Sequence, residues 1–334
     1  MKWHAAFGAL LCLTSVACQQ YAPTVRVERT VYLMGTTATF VVEATDRPAA
    51  LKQLERMVRV VESTEAELST WREDSVLSRL NGHPVDTWLS MPDTVCVILR
   101  EVARWHRITV GAFDPAIGSL VAAWDIRGTG RVPARDALAV AVDGSGFQHV
   151  AIDGERCAAM RSADVMLDAG GFGKGAAIAR VAREEQAHSG VWLIDFGGQV
   201  AVSGPGVDGP WPVAIAHPLL RETALVELLL GEGSVATSGG SERDLAVDLE
   251  TRVGHIVDPR TGQALTRASS VTVWHEDPLA ADALSTALYV MGTRPGLEWA
   301  EDHGIAAYFV ITDESTGDLE HLATSQFETR FLRP

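Results

Sequence analysis

The sequence predicts an α+β fold, mixed sheets with packed helices. A strand pair opens the chain after its leader, two stretches of helical periodicity follow, and short apolar strands then mix with helices without a repeating βα unit. VRVERTVYLMGTTATFVVEA, residues 25–44, reads as two strands around a Met34-Gly35-Thr36 turn. Apolar residues recur at helical spacing over about 49–67 and again over about 93–107. FDPAIGSLVAAW, residues 113–124, reads as a helix start, because Asp114 can cap and Pro115 suits the first helical position. Strands are expected at VMLDA (165–169), VWLIDF (191–196), WPVAIAHP (211–218), VGHIVDP (253–259), SVTVWHE (270–276) and AAYFVIT (306–312). Helices are expected near 173–186, 278–290 and 295–302.

A chain of 334 residues with 47% hydrophobic composition can bury a substantial core, and its length suggests about two domains. There are no internal repeats, and GPGVDGP at 204–210 is the most turn-like break. The chemistry-bearing motifs lie on both sides of that break. Residues 18–334 are therefore expected to form one catalytic unit, with room for two subdomains around a single site. MKWHAAFGALLCLTSVAC has the anatomy of a signal peptide, with an apolar run too short to span a bilayer. Cleavage after Ala17 as a soluble export signal is one reading of residues 1–17. The other, favoured by Cys18, is a bacterial lipoprotein box, S-V-A-C, with Ser15 where Leu is usual. The expectation is an exported protein on the periplasmic side of a bacterial membrane, lipid-anchored at Cys18. Cys96 and Cys157 then remain, as buried free thiols or as a disulfide that export would permit. A formal net charge of −15 argues against nucleic acid and against electrostatic docking on anionic lipid. A polyanionic ligand would need dedicated local cations.

LDAGGFGKGAAIARV, residues 167–181, has the look of a phosphate-binding turn. The nucleoside-triphosphate loop fails: Gly175 follows Gly173-Lys174 where Ser or Thr is required, and Asp168 holds the first glycine's position. The dinucleotide fingerprint fits better through Gly171, Gly173 and Ala176, with Asp195 at the end of the next strand, and it keeps a nicotinamide-dependent oxidoreductase open. Asp168 weakens that reading, since a carboxylate beside the first glycine repels pyrophosphate unless a cation lies between them. Asp282 and Thr286 stand four apart on an expected helix and share a face. They are hard oxygen ligands that suit Mg²⁺ when carbonyls, water and phosphate complete the set, or they are ordinary residues of a helix's first turns. The ten histidines offer no zinc pattern. His255 stands out at the end of an expected strand ahead of the Asp258-Pro259-Arg260-Thr261-Gly262 turn, as a site residue or as a histidine bonded to nearby backbone.

Eight segments in order resemble the ApbE family, the FAD:protein FMN transferases: MGTTATF, STWREDSVLSRLN, GAFDPAIGSLVAAW, LDAGGFGKGAAI, LIDFGGQVAVSG, SVATSGGSER, HIVDPRTG and AADALSTALYVMG. The resemblance spans nearly all of the chain after the leader. It implies an ApbE-type architecture and an enzyme that moves the FMN half of FAD onto a Thr or Ser hydroxyl of an acceptor protein, releasing AMP. It also implies that Asp282, Thr286 and the Gly171 carbonyl hold Mg²⁺. Met34, Trp71, Ala112, Phe113, Asp114, Asp168, Lys174, His255 and Ile256 would line the FAD site. Trp71 departs from the Tyr common there, and Ala169 and Phe172 vary within the loop. On this reading Mg²⁺ and Lys174 together offset Asp168. His255 is the candidate base for the incoming hydroxyl, because imidazole side chains titrate near neutral pH, with Asp258 able to orient or replace it. A metal-dependent FAD pyrophosphatase and a non-catalytic FAD-binding lipoprotein are the alternatives within the same site.

Overall fold

In the computed structural model, residues 24–188, 190–220, 222–240, 244–246, 252–313 and 315–332 are described. Residues 1–23, with the expected leader and Cys18, lie outside them. Strands β1 (Val25–Leu33) and β2 (Thr36–Ala44) form a hairpin whose register pairs Val25 with Ala44 and Leu33 with Thr36. Its two loop residues, Met34 and Gly35, both have positive φ, 48° and 77°. That is the turn geometry whose twist matches flanking strands, and it holds a methionine in a region that disfavours it. Helix α1 (Arg47–Leu68) starts where the Asp46 side chain accepts from the Ala49 amide, and it buries Leu54, Met57, Val58 and Val61.

Helix α2 (Val76–Gly82), strand β3 (Leu89–Ser90), helix α3 (Asp93–Ile108), helix α4 (Gly118–Ala123) and helix α5 (Arg135–Asp143) follow. Strands β4 (Val150–Asp153) and β5 (Ala158–Arg161) join β3 in a small sheet ordered β3-β5-β4. Helix α6 (Gly173–Glu185) leads to strands β6 (Val191–Phe196), β7 (Gln199–Val202), β8 (Trp211–Ala216), β9 (Ala224–Leu230) and β10 (Gly233–Gly239). After the short pair β11 (Leu245–Ala246) and β12 (Arg252–Val253) come strand β13 (Ser269–His275), helix α7 (Pro278–Met291), helix α8 (Thr293–Asp302) and strands β14 (Ala306–Thr312) and β15 (Leu319–Ala323).

One eight-stranded antiparallel sheet, β1-β2-β6-β7-β10-β13-β14-β15, organises the molecule and takes strands from both sides of the 204–210 loop. Leu54, Met57, Phe40, Ile178 and Ile194 form one core where α1 and α6 cover β2 and β6. Leu99, Phe113, Phe172, Val273, Leu284 and Leu288 form a second, around α3, α7 and β13. On the opposite sheet face, the β8–β9 hairpin contributes Trp211, Ile215 and Leu228 to a third core with Val41, Val235 and Val310. Helix α7 is buried on nearly every side, as a helix apolar all round must be. No helix among the described residues is long and apolar enough to cross a membrane.

Three expectations need correction. Residues 165–169 form no strand. Their backbone is satisfied instead by Asn81, whose side chain donates to the Leu167 carbonyl at 2.9 Å and accepts from its amide at 2.8 Å, and by bonds between Asp168 and Pro115 and between Gly118 and Met166. Within 253–259 only Val253 belongs to a strand, and the remainder turns back through a single bridge between Val257 and Ala264. The helix expected from Pro115 begins at Gly118, because Asp114 folds its carboxylate onto the amides of Ala116 at 2.7 Å and Phe147 at 3.1 Å. Cys96 and Cys157 are free thiols. A hydrogen bond with Cys96, reinforced by burial and Asp93, pushes the Cys157 thiol up to about 12.

Asn81 holds the segment that leads into the glycine turn, so Asn81→Ala leaves two backbone groups of buried Leu167 without partners. Such groups cost about 1–3 kcal/mol each, and a loss of roughly 2–3 kcal/mol is expected in urea unfolding. An unchanged midpoint and slope would show that water or a shifted backbone replaces the side chain.

Candidate functional site

The site begins at Asp168, 8% exposed, whose carboxylate accepts the Gly170 amide at 2.7 Å and pairs with the Arg127 guanidinium. The chain then turns through Gly171 and Phe172 into α6. Phe172 is fully buried, edge-on to Phe113 at 6.4 Å between ring centres. Gly175 is required by contact: a Cβ there would stand 2.6 Å from the Pro278 carbonyl and 2.7 Å from Asp282 Cβ. Its absence lets α6 and α7 touch, and the Gly175 amide donates to the Asp282 carboxylate at 2.9 Å. Lys174 Nζ lies 3.4 Å from the other Asp282 oxygen.

Thr286 sits one turn along α7. Its hydroxyl donates to the Asp282 carbonyl at 3.2 Å and lies 3.5 Å from the Ser238 hydroxyl, which itself bonds Ser285 at 2.9 Å. Gly171 faces this turn, since a Cβ on it would stand 3.7 Å from Thr286 Oγ1 and 3.5 Å from the Phe113 ring. Gly171, Asp282 and Thr286 thus meet at one place, with Lys174 beside them. The Met34 methyl reaches the same turn, 3.1 Å from where a Gly173 Cβ would be. Ala112 and Phe113 are buried behind it. Burial pushes the Asp114 carboxyl above its ordinary range, opposed by His106, whose Nδ1 is 3.5 Å away.

Among the described residues no group of three His, Cys, Asp or Glu side chains is arranged to hold a metal. The donors here are one carboxylate, one hydroxyl and the loop backbone. These hard oxygens fit Mg²⁺, an ion that keeps water and takes phosphate oxygens to complete its shell. They lack the imidazole and thiolate ligands that favour zinc, copper or iron.

His255 and Ile256 lie off α7, near its Tyr289 end. His255 Nδ1 lies 3.1 Å from Asp244 Oδ1, and the Ile256 carbonyl accepts the Leu265 amide at 2.8 Å. Asp258, expected to orient the histidine, is bound instead by the Arg260 guanidinium at 2.9 Å on both oxygens, so Asp244 takes that place. Asp244 and burial push the Tyr289 hydroxyl up to about 12, burial being the larger cause. Asp282, Thr286 and Tyr289 are spaced i, i+4, i+7 and make one stripe along α7, about 10 Å long at 1.5 Å per residue. The metal-suited group is at one end of that stripe and the His255–Asp244 pair at the other. Among the described residues no hydrogen bond or ion pair joins His255 to Asp282, Thr286 or Lys174.

Trp71 is 71% exposed, with the Arg127 guanidinium 5.3 Å from its ring centre. Arg127, Ser238 and Asp244 were not singled out from the sequence. Ser238 and Asp244 lie in and beside the SVATSGGSER segment, but Arg127 sits in no motif. Lys174 pairs with Asp282, so the cation on Asp168 is Arg127 and not Lys174. A cavity of about 950 Å³ lined by Trp105, Trp274, Trp299 and Arg330 lies at the far end of β13 and contains none of these residues.

The ApbE family model matches residues 34–309. A Vibrio cholerae protein named FAD:protein FMN transferase is 29% identical over 98% of both chains. A Klebsiella pneumoniae protein of the same name is 32% identical over 74% of this chain and 73% of its own. Among solved structures, the apo Pseudomonas stutzeri flavinyl transferase ApbE superposes with a TM-score of 0.82 at 29% identity, over 93% of this chain and 98% of that one. The ApbE protein of Thermotoga maritima gives a TM-score of 0.84 at 28% identity, over 93% and 100%. With the glycine turn, the α7 stripe and the hairpin tip inside the matched span, the chain belongs to the ApbE family.

Proposed function

We propose that this chain is an FAD:protein FMN transferase. It moves the FMN half of FAD through its phosphate onto a Thr or Ser hydroxyl of an acceptor protein and releases AMP. The observation that carries the proposal is the meeting of Lys174, Asp282 and Thr286 with the glycine turn at the start of α6. The acceptor oxygen forms a bond to the FMN phosphorus, the bridging P–O bond breaks, and AMP leaves with the bridging oxygen. Asp282, Thr286 and the Gly171 carbonyl would hold Mg²⁺, which when bound supplies positive charge to the pyrophosphate oxygens. Lys174 adds a second cation from the protein and neutralises Asp282 at the same time.

His255 is proposed as the base. With Nδ1–H donating to Asp244, Nε2 is left as the proton acceptor, and the pair fixes the ring's orientation. Because His255 and the metal-suited group occupy opposite ends of the α7 stripe, the acceptor hydroxyl would enter between them. The same residues serve an FAD pyrophosphatase if water enters instead. A nicotinamide oxidoreductase is less well supported. The amides of Gly173, Gly175 and Ala176, which a dinucleotide fold aims at the pyrophosphate, are taken here by Ala169, Asp282 and Phe172. We further propose export and a lipid anchor at Cys18, which would place the enzyme against acceptors on the outer side of the membrane.

Incubating the chain with FAD, Mg²⁺ and an acceptor should add FMN to the acceptor's mass. Free FMN and AMP with no adduct would make it a hydrolase, and FAD bound without turnover would make it a carrier. Asp282→Ala should abolish Mg²⁺-dependent transfer while the circular dichroism spectrum stays native; full activity in that variant would remove Asp282 from the site. His255→Asn should keep FAD bound and slow transfer by roughly 10²- to 10⁴-fold. Loss of FAD affinity with normal turnover at saturation would instead make His255 a binding residue.

A further inference from the structure

Arg127 meets three groups at once: the Trp71 ring, the Asp168 carboxylate and the Thr70 hydroxyl. The turn that carries it is built to hold it still. Gly128 and Gly130 both bond back to the Asp125 carbonyl, at 3.0 and 3.2 Å, and the Thr129 amide donates to the Asp125 side chain at 3.2 Å. A Cβ on Gly128 would stand 2.5 Å from the Asp125 carboxylate, so a side chain there would displace the carboxylate that the Thr129 amide uses. Trp71 meanwhile buries almost nothing, and an indole left in water beside a paired guanidinium is not core packing. Arg127 covers one part of the ring and leaves the rest open to a ligand. Asp168 is the carboxylate at the mouth of the glycine turn, where a phosphate anion would be repelled, and Arg127 is the cation placed against it. Lys174 cannot do this, because it is engaged with Asp282. The chain's net charge of −15 makes such a local cation necessary.

We propose that Arg127 is a specificity-determining residue for the dinucleotide. It neutralises Asp168 where the pyrophosphate enters, and it steadies Trp71 as a platform on which one flat ring of the dinucleotide stacks. This rests on the FAD-using function proposed above. One residue would then act on both chemical parts of the ligand, the charged bridge and the aromatic end. A guanidinium suits the task because it stays charged at all working pH values and is planar, so it can lie on an indole while donating to a carboxylate. Lysine could supply the charge but not the flat contact.

The test is equilibrium binding to the full chain without acceptor, read by flavin fluorescence for FAD and FMN and by calorimetry for ADP and AMP. Arg127→Met should weaken FAD binding by at least tenfold and reduce the quenching of bound flavin, with the melting temperature unchanged. In an Asp168→Asn background the same Arg127→Met change should cost less FAD and ADP affinity than it does in the wild type, since the charge it neutralises is gone. Arg127→Lys should keep ADP affinity but not the stacking signal. FMN and AMP each carry one phosphate, so the ring on Trp71 is the one whose mononucleotide loses more affinity in Arg127→Met, and equal losses overturn the platform role. Equal FAD affinity in wild type and Arg127→Met, or an Arg127→Met loss just as large in the Asp168→Asn background, overturns the neutralising role. If Arg127→Met melts early, Arg127→Lys and Trp71→Phe decide by the same titrations. A wild-type chain that binds no FAD would sink the function itself, a result distinct from a failure of Arg127 alone.

Discussion

Everything in the candidate site depends on one close approach, the contact of α6 with α7 at Gly175. A buried helix that is apolar on nearly every side has no room for a charge unless a partner waits where the charge lands. Asp282 is that charge, and its carboxylate finds the Gly175 amide and the Lys174 ammonium together. Gly175 is both the gap that admits α7 and the donor that satisfies its carboxylate. The glycine turn, Phe172 and Phe113 pack around this contact. A methyl group at residue 175 would push the helices apart and strip Asp282 of a partner in the same movement.

Charge is arranged in the site as separate pairs. Asp168 has Arg127, Asp282 has Lys174, Asp258 has Arg260 and His255 has Asp244. In a chain this acidic, a pyrophosphate could not approach a surface of unmatched carboxylates. Pairing leaves the site close to neutrality, so a charged ligand does not have to overcome a large standing field. The cations are also held by their partners before any ligand arrives, which spares part of the ordering cost of binding.

The large features were legible because local chemistry and tertiary packing agree in them. Alternation and the Met34-Gly35 pair gave the first hairpin, and apolar periodicity gave α1, α3 and α7. Where a side chain had a choice of partner, the sequence was silent. Asp114 has the look of a helix cap but bonds Phe147, which is distant in the chain. Residues 165–169 alternate like a strand yet are held by Asn81 rather than by a neighbouring strand. Asp258 is nearer to His255 in sequence than Asp244 is, but the tight turn after it delivers Arg260 to its carboxylate first. Arg127 carried no signal at all, since its meaning comes only from the ring and the carboxylate that folding brings to it.

The eight-stranded sheet has a bearing on how the protein comes into being. Strand β2 pairs with β6, so the first hairpin waits for more than half the chain before its inner edge is filled, and the helix that brings Asp282 and Thr286 arrives later still. Contacts so distant in sequence fold slowly, and no early fragment can hold a rudimentary version of the site. Until α7 docks, the apolar faces of β10 and β13 are open to other chains, and the interval before that docking is when the protein is most exposed to aggregation. The same topology gives a safeguard: the site exists only in a chain that has folded to completion.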